Sequence, residues 1–318
     1  MTRLLGLGIL SAFFFSSTFV LNRAMSLAGG DWVWTASLRY AYTLVLLVFW
    51  LLGTGQARQL RGIFSAFRRN WMFWTVAGSV GFGAFYALLT FSSAYAPGWV
   101  VATTWQATIV ASPVVLRLFG RRVPAKGVFF TSLIFAGIVL VTLEQATSAS
   151  LKDLVLGVLP VVVAAFAYPI GNQLVWEARN GSHGFIPRID DPALDSSVGR
   201  VLLMVLGSVP FWIVLTVSLH PGLPSAGQVV NTLLVALCSG VIATTLFFRA
   251  RHLARTPLEL AAVDATQSTE VLFSLAGEIV FLHGRLPGPA GAAGVLLCVT
   301  GLVLYIRSQN ASPECCPD

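Results

Sequence analysis

Charged side chains are scarce in this sequence. Only 10% of its 318 residues are Asp, Glu, Lys or Arg, whereas 56% are hydrophobic. Soluble globular domains carry about 25% charged residues, so this composition and a mean hydropathy of +0.79 exclude an ordinary soluble protein. The sequence therefore predicts a polytopic membrane protein in contact with a lipid bilayer.

Short motifs that support catalysis or cofactor binding are also missing. The chain contains no Gly-x-Ser-x-Gly, no His-Glu-x-x-His and no glycine-rich phosphate loop. Glu270 and Glu278 would lie about 12 Å apart on one helix, which is a poor spacing for a carboxylate pair. We therefore expect a protein that is not an enzyme and needs no cofactor, with an intramembrane enzyme kept as the alternative class.

Cysteine-based and metal-binding sites are not indicated either. Two of the four cysteines lie inside apolar runs and two in the polar tail, which does not make a disulfide framework. The polar segment 178–197 holds three aspartates, but its Gly, Pro and Ser content favours a cytoplasmic link over a metal site. No metal ion is expected.

Ten apolar runs are present. Each is about 17 to 26 residues long, as a helix needs to cross a hydrocarbon core about 30 Å thick. The unbroken runs lack the period-2 alternation of a membrane barrel, so the predicted fold is all-α. Although Arg3 and residues 26–28 resemble a signal peptide, the first run is too long for one and is interpreted as a retained helix. The runs are 4–22, 32–52, 71–93, 97–119, 127–143, 154–176, 199–219, 229–248, 257–282 and 288–306.

Basic residues alternate in number between the connecting loops. If the N-terminus is cytoplasmic, 16 of the 20 lysines and arginines fall on the cytoplasmic side, three fall on the other side, and Arg39 lies within a span. This asymmetry predicts that both termini are cytoplasmic in a bacterial-type inner membrane. It also explains the net charge of +7 without a nucleic-acid partner.

A faint internal repeat accompanies the ten runs. Ala96-Pro97 resembles Thr256-Pro257, and Arg122-Val123-Pro124 resembles Arg285-Leu286-Pro287, at offsets of 160 and 163. Five helices per half is an odd number, so the halves would lie inverted in the membrane, with a site near its midplane. We expect two five-helix repeats, 1–150 and 151–318, within one integrated membrane domain.

The segment 261–279 carries an unusual set of polar side chains. Read as a helix, it gathers them within roughly a 120° arc. A carboxylate at membrane depth costs at least about 2.5 kcal/mol and normally faces a bundle interior or an aqueous cavity. The segment is interpreted as one wall of a pathway, although its terminal acids could simply be solvated. The residues are Asp264, Gln267, Glu270, Ser274 and Glu278.

Arg39 is the basic residue placed well inside a span. Counted along the helices, its depth matches that of Glu278, so an Arg39–Glu278 pair is expected. Glu270 would then be free, and because desolvation disfavours its charged form, it could bind a proton or a cationic substrate in alternation. A purely structural Arg39, bonded to backbone carbonyls or Asp31, is the alternative.

Two other helices offer candidate lining residues. Trp105 could present a cation–π face to an organic cation, and Gln106 would mirror Gln267 in the repeat. In the eighth run, Asn231 and Thr245 share one arc of a regular α-helix.

Several blocks of the chain resemble a known family. With ten predicted helices and prolines before the fourth and ninth, the chain resembles the multidrug resistance efflux transporter family of the drug/metabolite transporter superfamily. Small multidrug transporters of that superfamily use a glutamate in their first helix, whereas residues 4–22 contain no carboxylate here. The blocks are NRAMSLAGGDWVWTASLRY, TWQATIVAS, LGVLPVVVAAFAYPIGNQ, SGVIATTLFF and AAVDATQSTEVLFSLAGEI.

The resemblance and the residues together predict a secondary active transporter. The expected substrates are small organic cations, drugs or amphipathic metabolites, exported by alternating access, with proton antiport as a hypothesis. A transporter of amino-acid-like metabolites without proton coupling stays open as an alternative. So do the direction of transport, the coupling ion and the choice between monomer and homodimer.

Overall fold

The computed structural model describes residues 2–121, 125–180, 184–253, 259, 263 and 266–310. This part of the chain is helical without any strand, and each predicted apolar run contains a helix. The helices that occupy these runs are labelled in chain order. They are α1 (Thr2–Leu27), α2 (Trp32–Gly53), α3 (Trp71–Ser92), α4 (Gly98–Leu118), α5 (Ala125–Ser148), α6 (Leu151–Asn180), α7 (Ser197–Leu219), α8 (Ala226–Arg251), α9 (Thr269–Leu282) and α10 (Pro289–Asn310).

Seven of these helices are long and apolar enough to cross a membrane, namely α1 to α4 and α6 to α8. Shorter apolar helical stretches occur in α5, at Ser132–Thr147, and in α10, at Pro289–Leu304. The α-helical part of α9 has 14 residues and follows a 3₁₀ turn at Thr266–Ser268. The chain is therefore a multi-pass membrane protein.

Side chains at the helix ends explain where several spans begin and stop. The Asp31 carboxylate accepts a hydrogen bond from the Val33 backbone N–H at 2.8 Å, which caps α2. Ser225 caps α8 in the same way, through the Gln228 N–H at 3.1 Å. At their C-terminal ends, α7 and α9 stop at His220 and His283, which adopt the left-handed conformation.

Glycines allow three helices to approach closely around α3. A Cβ atom at Gly207 of α7 would lie 1.9 Å from the Trp74 carbonyl oxygen, and Gly171 of α6 lies directly against Gly81. Since apolar association gives no driving force between helices in lipid, such backbone contact supplies much of the packing energy. These contacts fix α6 and α7 against α3.

Three helices depart from regular α geometry beside the centre of the bundle. The stretches Ser79–Ala84 of α3 and Ala236–Ala243 of α8 are π-helical, and α4 is interrupted at Gln106 between Trp105 and Ala107. A π-helical turn holds more residues than an α turn, so it rotates the side chains that follow it. This rotation decides which residues of α8 face inward.

The loop between α6 and α7, predicted as a flexible link over 178–197, is held by two ion pairs in its described part. Asp191 pairs with Arg69, at the end of the surface helix Ala57–Arg69, and Asp195 pairs with Arg179 at 2.6 Å. α6 itself continues to Asn180, beyond the predicted start of the link. Two of the three aspartates of this segment therefore bind arginines.

Candidate functional site

A cavity of about 880 Å³ lies in the middle of the helix bundle. Residues of α1 to α4, α6, α7 and α8 line it, together with the start of α9. It extends to the ends of α6 and α7, where Arg179 and Arg200 line its wall. This volume is large enough for a drug-sized molecule.

Glu270 is the carboxylate among the described lining residues. It lies in the first turn of α9, directly after the 3₁₀ turn. The Ser274 hydroxyl donates to the Glu270 backbone carbonyl at 2.8 Å. This bond lies within the helix and does not involve the Glu270 carboxylate. Glu270 therefore presents an acidic group to the cavity.

Arg39 of α2 also lines the cavity, and its environment differs from the expected one. Its guanidinium donates to the Ser239 hydroxyl at 3.1 Å and lies 4.0 Å from the centroid of the Tyr86 ring, a cation–π distance. Arg39 and Glu270 interact electrostatically. The acid that shares the cavity with Arg39 is thus Glu270.

The predicted Arg39–Glu278 pair is wrong. The Glu278 carboxylate accepts a hydrogen bond from the Gly98 backbone N–H at 2.9 Å, at the free N-terminus of α4, and is only 5% exposed. The depth comparison failed because it ignored the direction in which each side chain points. Glu278 points to α4 and lies outside the cavity, whereas Arg39 points into it.

An aromatic cluster forms one wall of the cavity. The rings of Phe85, Trp105 and Tyr168 have centroids 4.8 to 5.6 Å apart, and all three line the cavity. Tyr168 lines the same cavity as Asn172, Arg39 and Glu270. The cluster combines an apolar surface with π faces that attract cations.

Gln106 and Gln267 line the cavity from α4 and from the turn before α9. The Gln106 amide donates to the Ala102 carbonyl at 3.3 Å. The Gln267 amide nitrogen is buried and has no hydrogen-bond partner in the described part of the chain. A buried amide without a partner costs free energy, so Gln267 has a donor available for a bound molecule or water.

Four of the predicted site residues do not line the cavity in the described structure: Asn231, Thr245, Ser274 and Glu278. Thr245 is exposed on the outer surface of α8. The prediction for Asn231 and Thr245 assumed a regular α-helix, but the π-helical stretch between them turns Ser239, Gly240 and Thr244 inward instead. Asp264 lies outside the described residues.

Sequence reasoning missed most of the aromatic and amide lining. Tyr40, Tyr86 and Tyr168 line the cavity, and the Asn22 side chain contacts the Tyr86 hydroxyl at 3.1 Å. One signal was available, because Asn22 and Asn172 occupy matching positions of the two halves at an offset of 150. In the structure Asn22 bonds to the Tyr86 hydroxyl beside the cavity, and Asn172 lines the cavity together with Tyr168.

Hydrogen bonds between helix ends close the bundle at its other end, around Gly98 and Glu278. Arg23 donates to the Ser93 and Ala94 carbonyls at 2.9 and 3.1 Å. The Gln228 amide donates to the Asp31 carbonyl at 2.6 Å. This end is tied together by direct bonds, whereas the end at Arg179 and Arg200 is reached by the cavity.

A further ion pair lies near the end that the cavity reaches. Arg121 donates to both carboxylate oxygens of the fully buried Glu177, at 2.7 and 3.0 Å, and lies 4.4 Å from the Trp176 ring centroid. The hydrogen bonds to Glu177 raise the pKa of Arg121 above its ordinary value. This pair fastens the end of α4 to α6.

The fold is that of a multi-pass membrane protein with a central cavity, and sequence comparison gives its family. Residues 2–311 match the family model EmrE, described as "Putative multidrug resistance efflux transporter". The chain belongs to this family. The match covers nearly the whole chain, and the family is one of transporters.

Two bacterial proteins are similar over long stretches. The "Uncharacterized protein YjlA" of Bacillus subtilis (strain 168) is 40% identical, covering 97% of this chain and 96% of its own. An "Uncharacterized 42.1 kDa protein in intracellular alkaline protease 3'region" of Shouchella clausii is 41% identical, covering 83% and 69%. A protein of known crystal structure superposes on 96% of both chains with a TM-score of 0.58 and 16% identity, which shows a shared fold alone.

Proposed function

We propose that this protein is a secondary active transporter that exports small organic cations, drugs or amphipathic metabolites by alternating access. The observation that carries the proposal is the central cavity, in which Glu270 faces the Phe85–Trp105–Tyr168 aromatic cluster. A carboxylate beside aromatic rings suits a cationic group on an apolar body. Membership of a transporter family supports the same conclusion.

Glu270 is the proposed coupling group. A carboxylate away from bulk water binds a proton or a cationic substrate more readily than it stays charged and unpaired. Proton binding would then release the cation, and cation binding would release the proton, which is the exchange that antiport requires. Arg39 interacts electrostatically with Glu270, so its position influences both steps.

An inverted repeat of two five-helix halves, 1–150 and 151–318, is the proposed architecture. The helix contacts support it, since α1 packs on α9 as α6 packs on α4, and α2 packs on α8 as α7 packs on α3. The two π-helical stretches also occur in matching helices, the third and the eighth. Seven helices are long enough to cross the bilayer. If α5, α9 and α10 cross it too, the protein has ten membrane spans.

The proposed location is a bacterial-type inner membrane with both termini in the cytoplasm, from the distribution of lysine and arginine. In that orientation the cavity reaches the cytoplasmic ends of α6 and α7, and the bonds at Arg23 and Glu278 close the outer end. This is the arrangement expected of a state that loads substrate from the cytoplasm. Since one chain forms the whole cavity, a monomer suffices for transport, and a homodimer stays open.

Proton flux in reconstituted vesicles tests the proposal. Organic cations and amphipathic metabolites are added to vesicles with a pH gradient, and wild-type protein is compared with Glu270→Gln. We expect substrate-dependent proton movement in the wild type and its loss in Glu270→Gln, because an amide cannot release a proton in this range.

Glu278→Gln is the matched control, since the same change is made on the same helix outside the cavity. Flux in Glu278→Gln should persist in protein that remains folded. Flux that survives Glu270→Gln but disappears in folded Glu278→Gln would move the coupling role to Glu278. Substrate uptake without any proton movement would favour the uncoupled metabolite transporter instead.

A further inference from the structure

The guanidinium of Arg39 has unused hydrogen-bonding capacity inside the cavity. Arginine carries five N–H donors, and among the described residues Arg39 makes one hydrogen bond, to the Ser239 hydroxyl. None of the ion pairs in the described part of the chain joins it to a carboxylate within 4.0 Å. Its remaining donors therefore face the cavity, beside the Tyr86 ring.

Arg39 lies within a membrane span, where a charged side chain has a free-energy cost. A basic side chain within a span is costly to insert and normally faces a bundle interior or an aqueous cavity. The cation–π contact with Tyr86 and the single hydrogen bond to Ser239 leave most of its donors without a partner among the described residues. An unsaturated guanidinium in a cavity is the usual group for binding a carboxylate through two parallel hydrogen bonds.

The charges in the cavity suit a substrate that carries both a positive and a negative group better than one that carries a positive group alone. Glu270 already interacts with Arg39, and Arg200 lines the end through which a substrate would enter, whereas Arg179 at the same end is paired with Asp195. A simple cation would be attracted by Glu270 and repelled by Arg39 and Arg200. A molecule with both charges gives each of Arg39 and Glu270 an opposite partner and adds no net charge to the site.

We propose that the cavity binds a zwitterion with an aromatic body. Its anionic group is held by Arg39, its cationic group faces Glu270, and its ring packs against the Phe85–Trp105–Tyr168 cluster. This inference rests on the proposed transport function and narrows its substrate class. Tyr168 lines the same cavity as Arg39 and Glu270, so the ring-binding wall and both charges face one space.

Binding of matched compounds to the purified full-length protein in lipid nanodiscs tests this inference. One series shares a phenyl body and comprises phenylalanine, phenethylamine and 3-phenylpropionate. A second shares an indole body and comprises tryptophan, tryptamine and indole-3-propionate. We expect each zwitterion to bind about tenfold or more tightly than the amine or the acid, the effect of one charge-assisted hydrogen-bonded pair.

The same panel is applied to variants of Arg39. Arg39→Gln should lower the affinity for the zwitterion about tenfold or more, to the level of the amine, while leaving the amine's affinity unchanged or higher. Arg39→Lys keeps the charge without the planar fork and should lose only part of the preference. Arg61→Gln removes an equal charge from an exposed position of the surface helix and should change nothing.

Three results would overturn the inference. The first is wild-type protein that binds the amine as tightly as the zwitterion. The second is Arg39→Gln lowering the affinity of all compounds by one factor, which indicates a structural role for Arg39. The third is failure of all six compounds to bind. In that case, proton flux driven by other organic cations would still support the proposed transport function. If Arg39→Gln does not fold, the wild-type preference and Arg39→Lys decide.

Discussion

Glu270 and Glu278 lie on the same helix, yet their side chains have different surroundings. Glu270 faces a cavity with an arginine and aromatic rings. Glu278 is buried at a helix junction, where it accepts a hydrogen bond from the Gly98 N–H and lies near Arg23. A carboxylate bound to a helix N-terminus stabilises that helix, so we interpret Glu278 as a structural residue.

This interpretation predicts a stability defect for Glu278→Ala. Removing the carboxylate leaves the Gly98 N–H without its partner in a buried position, which costs about 1 to 3 kcal/mol. The melting temperature of detergent-solubilised Glu278→Ala should therefore lie below that of the wild type. Glu278→Gln should lower the melting temperature less, because its amide oxygen can still accept the bond. Equal melting temperatures for wild type and Glu278→Ala would contradict this role.

Residue-level prediction from the sequence worked where the local geometry was regular. The polar arc of 261–279 includes Gln267 and Glu270, which line the cavity, and Trp105 and Gln106 line it as well. The same arc also included Ser274 and Glu278, which do not. A helical wheel gives the angle around one axis, but it does not show which neighbouring helix lies opposite each angle.

At the scale of the helices, α3 carries contacts that other elements depend on. It packs through small residues on α6 and α7, and its π-helical stretch includes Phe82, which lines the cavity. Close backbone packing tolerates no added atoms on the facing surface. Substitutions at these glycines should therefore affect the whole bundle.

Gly207→Ala is the sharpest test of this packing. The added methyl group would lie 1.9 Å from the Trp74 carbonyl oxygen, so α7 must shift away from α3. We expect a loss of about 1 to 3 kcal/mol, measured as a lower thermal denaturation midpoint in detergent. Gly6→Ala in α1 is the matched control, because nothing lies within 4 Å of its Cβ position. A similar midpoint for both variants would disprove the packing argument.

The positions of the helices were predictable from the sequence, whereas their irregularities were not. Apolar length located each run, since a helix is the simplest way to satisfy backbone groups in lipid. The π-helical stretch Ala236–Ala243 has no composition that marks it among the apolar residues of its run. This is why Asn231 and Thr245 were expected to line the site and Ser239 was not.

At the scale of the whole molecule, the proposed inverted repeat predicts on which side of the membrane each connecting segment lies. Five spans before residue 151 would place Leu151 outside the cytoplasm, the sixth span would return Phe185 to the cytoplasm, and the seventh would place Leu223 outside again. All three side chains are highly exposed, at 77%, 103% and 94%. Cysteines at these positions therefore report the topology with little disturbance of packing.

We expect a membrane-impermeant maleimide to label Leu151→Cys and Leu223→Cys in intact cells, and Phe185→Cys only after the membrane is opened. The measurement needs a background in which the four native cysteines are replaced. Because seven long apolar helices alone do not fix the number of spans, Leu151→Cys is the informative position. Since α6 and α7 both lie between Leu151 and Leu223, an even number of spans before residue 151 would protect both Leu151→Cys and Leu223→Cys in intact cells and leave Phe185→Cys labelled. The second half would then begin on the same side as the first and lie parallel to it, and the pseudo-symmetric contacts of α1 with α9 and of α6 with α4 would need another explanation.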